Sequence, residues 1–285
     1  MTQHEGKLRM LPDQRRKKLL DILRLEGGAD VTKLSSQLEV SPATVRRDLQ
    51  YLESQGFLSR THGGAVLPFE STAYYPHYEK KMSYNEAEKT EIARQAADGV
   101  SNGDVVILDS GTTTFLLAKE LKARQELTIV TTDLKIALEL TDVPGFEVIC
   151  VGGIVRSRSY NTLGVFAERM LQDLRANFAF LGADGIDLHA GVTNATVTEV
   201  SIKRLMMRAG RVVVLLADST KFGRMGLAKV ADLTDFDEVI TDQGLSAETR
   251  KQYGTAGVRL TAVSSGKESE AGSDEGATNH EEVGA

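Results

Sequence analysis

Apolar residues recur at helical spacing in three short segments near the N-terminus. The segments are residues 14–25, residues 31–38 and a run that begins at Ser41. Ser41 and Pro42 form a start signal, because a serine side chain caps free N–H groups and proline fits the first helical position. Three apolar residues then share one face of the last helix: Val45, Leu49 and Leu52. The pattern predicts three helices, the last two joined by a short turn.

In a helix-turn-helix, the second helix of the pair lies in the DNA major groove. Residues 57–67, with Gly63 and Gly64 at their centre, predict a β-hairpin that forms a wing beside the helices. The expected DNA contacts are Ser41, Thr44, Arg46, Arg47 and Gln50 in the helix and Arg60 and His62 in the wing. Short amphipathic helices also occur in many globular domains, and paired arginines often lie on a solvated face. The capped turn, the arginine pair and the glycine wing together favour DNA binding.

Apolar runs alternate with helical patterns along the rest of the chain. The predicted strands are residues 105–109, 127–131, 147–152, 178–182, 212–218 and 238–241. The predicted helices are residues 85–100, 113–122, 134–140, 167–174 and 198–209. Apolar strands that alternate with helices form a mostly parallel sheet covered on both faces. The second part of the chain is therefore predicted to be a Rossmann-like α/β domain.

Polar residues follow three of these strands, at the edge where open α/β sheets bind ligands. They are Asp109, Gly111, Thr112 and Thr113 at the end of the first strand, Asp184 after the fourth, and Asp218 and Lys221 at the end of the fifth. A glycine lets the backbone approach an anion, and the N-terminus of the following helix carries partial positive charge. The lysine can neutralise a phosphate, and the carboxylates can accept hydrogen bonds from sugar hydroxyls. A single aspartate after a strand often only caps a helix, so the joint position of these residues carries the prediction.

Four further residues are candidates for the same edge of the sheet. They are Gly153, Arg156, Glu199 and Lys203. Glu199 and Lys203 lie four residues apart in a predicted helix, and this spacing is equally typical of a surface ion pair.

Charge is distributed unevenly along the chain. Residues 1–67 hold 11 Lys and Arg against 8 Asp and Glu, whereas the 285-residue chain has a net charge of −6. The positive excess lies where DNA is expected, but it is small. Binding therefore requires focused contacts, doubled by a second copy of the chain.

Other features restrict the class of protein. The sequence contains neither an apolar run of membrane-spanning length nor a signal pattern, which predicts a cytoplasmic protein with no membrane partner. The single cysteine, Cys150, lies in an apolar run and is predicted to be a buried core thiol. The five histidines are scattered and predict no metal site. Residues 68–84 predict an extended linker, and residues 264–285 predict a disordered acidic tail.

Both parts of the chain resemble the DeoR family of bacterial sugar-metabolism regulators. In the first part the resemblance rests on Arg15-Arg16, on Val-Ser-Pro-Ala-Thr-Val-Arg-Arg-Asp-Leu at residues 40–49 and on Leu-Ser-Arg-Thr-His-Gly-Gly-Ala at residues 58–65. In the second part it rests on residues 109–113, 152–153, 182–186 and 218–223. The resemblance implies a winged helix-turn-helix domain in residues 1–67. It also implies an α/β effector domain in residues 85–263 that resembles ribose-5-phosphate isomerase and binds phosphorylated sugars.

One segment departs from the family pattern. Where the family commonly has Thr-Asn followed by a small polar residue, this chain has Thr131-Thr132-Asp133. A hydroxyl in place of an amide, or an extra carboxylate, alters which sugar fits. Thr132 and Asp133 are therefore candidate effector residues, and the identity of the effector is not carried over.

Two functions are compatible with these residues. One is a repressor of a sugar-metabolism operon, a homodimer or homotetramer whose binding to double-stranded operator DNA is controlled by a phosphorylated sugar. The other is a phosphosugar isomerase with a carboxylate as general base and Lys221 as oxyanion stabiliser. Residues 1–67 have no role in an isomerase, so they favour the repressor, which needs no cofactor and no enzymatic activity. The effector, the operator and the direction of the effector's influence on DNA binding stay open.

Overall fold

The computed structural model describes residues 10–26, 28–54, 58–61, 63–66, 78–156 and 159–264. The chain divides into two compact units, Met1–Pro76 and His77–Ala285. The division falls inside the predicted linker, residues 68–84.

The described part of the first unit combines helices with a small antiparallel sheet. Its elements are α1 (Pro12–Glu26), β1 (Gly28–Asp30), α2 (Val31–Leu38), α3 (Pro42–Ser54), β2 (Ser59–Arg60) and β3 (Gly64–Val66). The sheet has the order β1-β3-β2. One leucine from each helix, Leu19, Leu34 and Leu49, is fully buried in the core. The three predicted helices and the hairpin are confirmed, whereas β1 has no predictive pattern in the sequence.

Local hydrogen bonds hold the turn between α2 and α3. Glu39 has the left-handed backbone conformation, with φ of 53°. The hydroxyl of Ser35 donates to the carbonyl of Val40 at 2.5 Å. Ser41 Oγ accepts a hydrogen bond from the N–H of Thr44 at 3.2 Å, so the predicted serine cap of α3 is present.

One buried carboxylate ties α1 to α3. Asp48 is buried and accepts hydrogen bonds from Arg15 Nε at 2.5 Å and from Arg16 Nε at 3.1 Å. The Arg16 guanidinium also lies over the ring of Tyr51, 3.7 Å from its centroid. Because both arginines are engaged within the unit, the buried charge is paired, and α1 and α3 are held together.

The second unit is an α/β structure. Its elements are α4 (Tyr78–Ser83), α5 (Glu86–Asp98), β4 (Val105–Leu108), α6 (Thr112–Leu121), β5 (Thr128–Thr131), α7 (Leu134–Thr141), β6 (Glu147–Cys150), β7 (Ile154–Val155), β8 (Thr162–Leu163), α8 (Val165–Gln172), β9 (Ala176–Gly182), β10 (Gly185–Asp187), β11 (Gly191–Asn194), α9 (Val200–Ala209), β12 (Gly210–Leu216), β13 (Ala228–Ala231), β14 (Glu238–Asp242), α10 (Ala247–Thr255) and β15 (Leu260–Val263). Short 3₁₀ helices lie at Val197–Glu199, Ser219–Lys221 and Leu233–Asp235.

Seven strands form one parallel sheet in the order β15-β14-β12-β9-β4-β5-β6. Successive residues of its strands alternate between two cores. Ile107 and Val130 face the core that includes α8 and α9, and Val106 and Ile129 face the core that includes α5 and α6. Both faces of the sheet are covered, which explains why its strands are continuous apolar runs. The predicted Rossmann-like α/β domain is confirmed.

The structure corrects two predictions and adds elements. Residues 78–83, expected to be extended, form α4, because Tyr78 is buried with its ring edge-on to Phe115 at a centroid distance of 6.2 Å. Cys150, expected to be buried, is exposed, because β6 is an edge strand. The sequence pattern also does not predict β15, α10 or the small sheet β10-β11-β13.

Residues 67–77 and 265–285 lie outside the described residues, so the acidic tail and most of the linker stay predictions. Within the described part of the chain, no helix combines the length and the apolar composition that crossing a membrane requires.

Candidate functional site

The outer face of α3 carries the main predicted DNA contacts. Arg46, Arg47 and Gln50 are exposed. Thr44 is half-buried, and its hydroxyl lies 2.9 Å from the hydroxyl of Ser41. Because the apolar stripe of α3 is buried in the core, two guanidinium groups are left in solvent on the helix expected to read DNA.

In the wing, Arg60 is exposed and lies next to Glu53. Its backbone N–H donates to Glu53 Oε1 at 3.1 Å, and its guanidinium Nη1 is 3.9 Å from Glu53 Oε2. A surface pair of this kind contributes at most about 1 kcal/mol, so it leaves the arginine available to a phosphate. His62 lies outside the described residues, and its DNA contact stays a prediction.

The carboxyl ends of four adjacent parallel strands, β12, β9, β4 and β5, meet at one edge of the sheet. The residues that follow these strands there are Asp218 and Lys221, then Asp184, then Asp109, Gly111, Thr112 and Thr113, and then Thr132 and Asp133. We call this group, with the side chains hydrogen-bonded to it, the strand-end site. The structure therefore brings together residues that are more than 100 positions apart in the chain.

Asp109 and Lys203 form a buried ion pair in this site. Lys203 Nζ donates to the Asp109 carboxylate and, at 2.8 Å, to the carbonyl of Gly182. The N–H of Gly182 donates to Asp109 Oδ2 at 3.0 Å. The surface ion pair between Lys203 and Glu199, which the spacing also allows, is wrong: both side chains are buried, and Lys203 is ion-paired with Asp109.

Glu199 is the centre of a second buried group. Its carboxylate accepts hydrogen bonds from Arg156 Nη1 at 2.8 Å, Asn161 Nδ2 at 3.2 Å and Asn194 Nδ2 at 2.6 Å. Burial raises the pKa of Glu199. The predicted residues Arg156 and Glu199 thus meet, and the sequence pattern gives no signal for the two asparagines. Within the described residues, Asn194 Oδ1 is buried without a hydrogen-bond partner.

Asp133 caps α7. Its carboxylate accepts hydrogen bonds from the N–H groups of Lys135 at 2.8 Å and Ile136 at 3.2 Å, and from the hydroxyl of Ser110 at 2.8 Å. Burial raises the pKa of Asp133 to about 6. Thr132 is buried, and its carbonyl accepts the N–H of Thr162 at 2.9 Å. The capping role that often explains an aspartate after a strand is therefore present here.

The glycine loop before α6 is built without a side-chain cap. Gly111 is the N-cap residue of α6, and no side chain in the described part of the chain caps this helix. Thr112 and Thr113 are buried in its first turn. A Cβ atom on Gly111 would lie 3.3 Å from Thr114 Oγ1, which is tight. The N-terminus of α6 keeps its partial positive charge at the edge of the sheet.

Gly153 has a structural requirement for glycine. Its φ is 157°, and a Cβ atom there would lie 2.6 Å from the carbonyl oxygen of Leu163. The close approach of β7 and β8 explains this glycine, and its predicted contact with the effector stays a prediction.

Side chains from α4, from α5 and from Asn85, which lies between these helices, complete the strand-end site. Lys81 Nζ pairs with Asp184 Oδ1 at 2.9 Å, and Asn85 Nδ2 donates to Asp218 Oδ1 at 3.0 Å. Lys89 is buried and donates to the carbonyls of Lys81 and Tyr84. Burial lowers the pKa of Lys89 to about 8.

Lys221 is the cation of this group that has no assigned partner. It is half-buried, and burial lowers its pKa, whereas the nearby Asp218 and Asp184 raise it. Within the described residues, no hydrogen bond or ion pair to its ammonium group is present. Burial raises the pKa of Asp184, but Lys81 and Lys221 lower it more, so the net pKa lies well below its ordinary value. Asp184 is therefore ionised at neutral pH.

Across the described part of the chain, the His, Cys, Asp and Glu side chains form no group able to hold a metal ion.

The comparisons with known proteins cover both units. A model of the DeoR C-terminal sensor domain matches residues 84–243, and a model of the DeoR-like helix-turn-helix domain matches residues 15–70. The HTH-type transcriptional regulator GolR of Listeria innocua is 34% identical over 87% of this chain and 98% of its own. The glycerol-3-phosphate regulon repressor of Escherichia coli is 34% identical over 82% of this chain and 92% of its own. Among solved structures, ribose 5-phosphate isomerase A of Methanocaldococcus jannaschii matches 48% of this chain and 55% of its own, at 18% identity and a TM-score of 0.36.

Proposed function

This chain belongs to the DeoR family of DNA-binding transcriptional regulators, and we propose that it represses a sugar-metabolism operon under the control of a phosphorylated sugar or a related metabolite. The exposed Arg46 and Arg47 on α3 support operator binding through the first unit. The similarity of this chain to a repressor of the glycerol-3-phosphate regulon supports the proposal that the effector is a small phosphorylated molecule. We assign operator binding to the predicted contacts on α3 and in the wing. We assign effector binding to the predicted residues of the strand-end site.

One observation supports the proposal for the effector: within the described residues, a cation of the strand-end site has no hydrogen bond or ion pair, and a buried acceptor of the nearby Glu199 group has no hydrogen bond. The cation is Lys221, and the acceptor is Asn194 Oδ1. A buried polar atom without a partner costs about 1–3 kcal/mol. A sugar phosphate supplies an anion for the lysine and hydroxyl donors for the amide oxygen, and a bare N-terminus of α6 also favours an anion.

Regulation is proposed ahead of isomerase activity because the first unit has no role in an isomerase. In addition, Asp109 is ion-paired with Lys203, and Glu199 is held by three donors. Both carboxylates are therefore engaged in bonds within the protein, and a general base needs a carboxylate that reaches a proton of the substrate. This favours ligand binding over proton transfer.

Two copies of the chain are proposed to bind one operator. The first unit has a net charge of only +3 over residues 1–67, so one copy neutralises few phosphates. Helix-turn-helix proteins commonly place two recognition helices in successive turns of the major groove, about 34 Å apart. We therefore expect a symmetric dimer, or a tetramer built from such dimers.

Lys221→Met tests the proposed phosphate contact. Methionine keeps an unbranched side chain but removes the charge, so a bound phosphate loses a contact of on the order of 1.5–3 kcal/mol. We expect the concentration of sugar phosphate needed for half-saturation in a thermal-shift titration to rise about tenfold to a hundredfold. Operator affinity without effector stays unchanged.

Lys229→Met is the matched control, because Lys229 is an exposed lysine of β13 that pairs with Asp232. It leaves both measurements unchanged. Overlapping titrations for Lys221→Met and the wild type would make Lys221 a structural lysine and refute the proposed position of the phosphate.

A further inference from the structure

Exposed apolar side chains concentrate in one region of the second unit, in β7 and α8. Their exposed fractions are 71% for Ile154, 54% for Val155, 51% for Val165, 67% for Phe166 and 41% for Met170. We call these five residues the β7–α8 patch. The two elements are adjacent, since the position of a Cβ atom on Gly164, next to Val165, lies 3.7 Å from Ile154 Cδ1. Ile154 therefore lies against the start of α8, and Met170 of the same helix lies against Gly152, so the exposed residues belong to neighbouring elements.

An unpaired strand edge lies next to this patch. β6 ends the seven-stranded sheet and pairs with β5 alone among the described strands. Proteins commonly protect such an edge with charged residues, proline or a bulge, and in Glu-Val-Ile-Cys of β6 the only such feature is the single charge of Glu147. The chain passes from Cys150 to the patch within four residues, and the N–H of Gly152 contacts Met170 Sδ at 3.3 Å.

We propose that the β7–α8 patch and the free edge of β6 form a symmetric interface with a second copy of this chain. This proposal rests on the pairing of two copies proposed above and assigns the surface that performs it. A two-fold axis beside β6 places this strand antiparallel to its own copy, so that backbone donors meet backbone acceptors. The same axis brings the two apolar patches to the same side of the interface.

The size and chemistry of the surface favour a second copy as the occupant. The exposed fractions of the five side chains correspond to on the order of 500 Å² of apolar surface, which is at the upper end for a monomeric protein. Two copies together reach about 1,000 Å², the size at which specific interfaces begin. The five side chains carry no charge, so they themselves offer no charged group to DNA phosphates or anionic metabolites.

Light scattering on the full chain without DNA tests the interface. The wild type has twice the monomer mass at micromolar concentration, or four times if two such dimers associate. Phe166→Glu places a charge in the patch on both copies, and we expect the dissociation constant of the dimer to rise about a hundredfold or more. Leu227→Glu is the control, because Leu227 is similarly exposed, at 59%, and lies outside the patch. This variant remains dimeric.

Cross-linking provides a second measurement that does not depend on the folding of a variant. Cys150 is the single cysteine and is exposed at the end of β6. In an antiparallel pair of β6 strands, the two thiols lie within about 15 Å. A bis-maleimide of that length therefore joins two wild-type copies, and Phe166→Glu reduces the yield.

The outcomes separate this interface from the pairing on which it rests. A monomeric wild type overturns both the interface and the pairing of two copies. A Phe166→Glu chain with the mass and the circular dichroism of the wild type, or a wild-type oligomer that Cys150 does not cross-link, overturns the β7–α8 interface and leaves the pairing in place.

Discussion

At the scale of single residues, Asp133 links the chemistry of the strand-end site to stability. Burial raises its pKa from 3.8 to about 6. Between these two values the folded chain holds a proton that the unfolded chain has lost. The contribution of Asp133 to stability is therefore present below about pH 4 and is lost as the pH rises through 6, a change on the order of 3 kcal/mol.

Asp133→Asn removes this ionisation and keeps an oxygen that can accept the N–H groups of Lys135 and Ile136. We expect the free energy of unfolding of the variant, relative to the wild type, to rise by about 2–3 kcal/mol between pH 4 and pH 7.5. Urea unfolding at both pH values measures the difference. Asp142→Asn, at the exposed C-terminal end of α7, is the control and shows no such change. Parallel pH profiles for Asp133→Asn and the wild type would show that Asp133 does not titrate in this range.

At the scale of helices and strands, α1 and α3 depend on Asp48. Asp48→Ala leaves Arg15 and Arg16 without their shared buried partner, and removing one member of such a group costs about 3 kcal/mol. Hydrogen–deuterium exchange in α1 and α3 becomes faster, whereas exchange in the seven-stranded sheet does not change. Asp13→Ala is the control, because Asp13 is 95% exposed and also pairs with Arg16. Equal exchange in both variants would mean that Asp48 does not hold the two helices together.

The two arginines of α3 give the prediction for DNA contact. Arg46→Ala or Arg47→Ala weakens operator binding by about 1–3 kcal/mol if the side chain reads a base. If the side chain contacts a phosphate, binding to all sequences weakens and the salt slope falls by about 1. Fluorescence anisotropy over a range of salt concentrations distinguishes the two cases. Arg94→Ala, in α5, leaves binding unchanged, and normal binding by both α3 variants would remove this helix from the interface.

Helices and strands with a strong pattern of apolar residues were predictable from the sequence, and those without such a pattern were not. The apolar runs of β4, β5, β9 and β12 predict buried strands because both faces of the sheet are covered. By contrast, α10 buries only Tyr253, so its sequence lacks an apolar stripe. β15 is the short segment Leu-Thr-Ala-Val, which resembles a loop as much as a strand.

At the scale of the whole molecule, the sequence predicted which residues reach the sheet edge but not how they pair. The rule that ligands bind at the carboxyl ends of strands placed Asp109, Asp184 and Asp218 together. Lys81 is 103 positions from Asp184, and no periodicity links the two. Lys89 had a usable signal, because it shares the apolar face of α5 with Ile92 and Ala96. A lysine on a buried face indicates a specific partner.

Sensing of a sugar phosphate is tested by a titration of operator binding with sugar phosphates and with the same sugars lacking phosphate. We expect at least one sugar phosphate to change the operator dissociation constant by about 5- to 150-fold, the usual range of coupling between two sites. The unphosphorylated sugar has no effect at the same concentration, and Lys221→Met shifts the response to higher concentration. Tight operator binding that no phosphorylated sugar alters would contradict the proposal that this regulator senses a sugar phosphate.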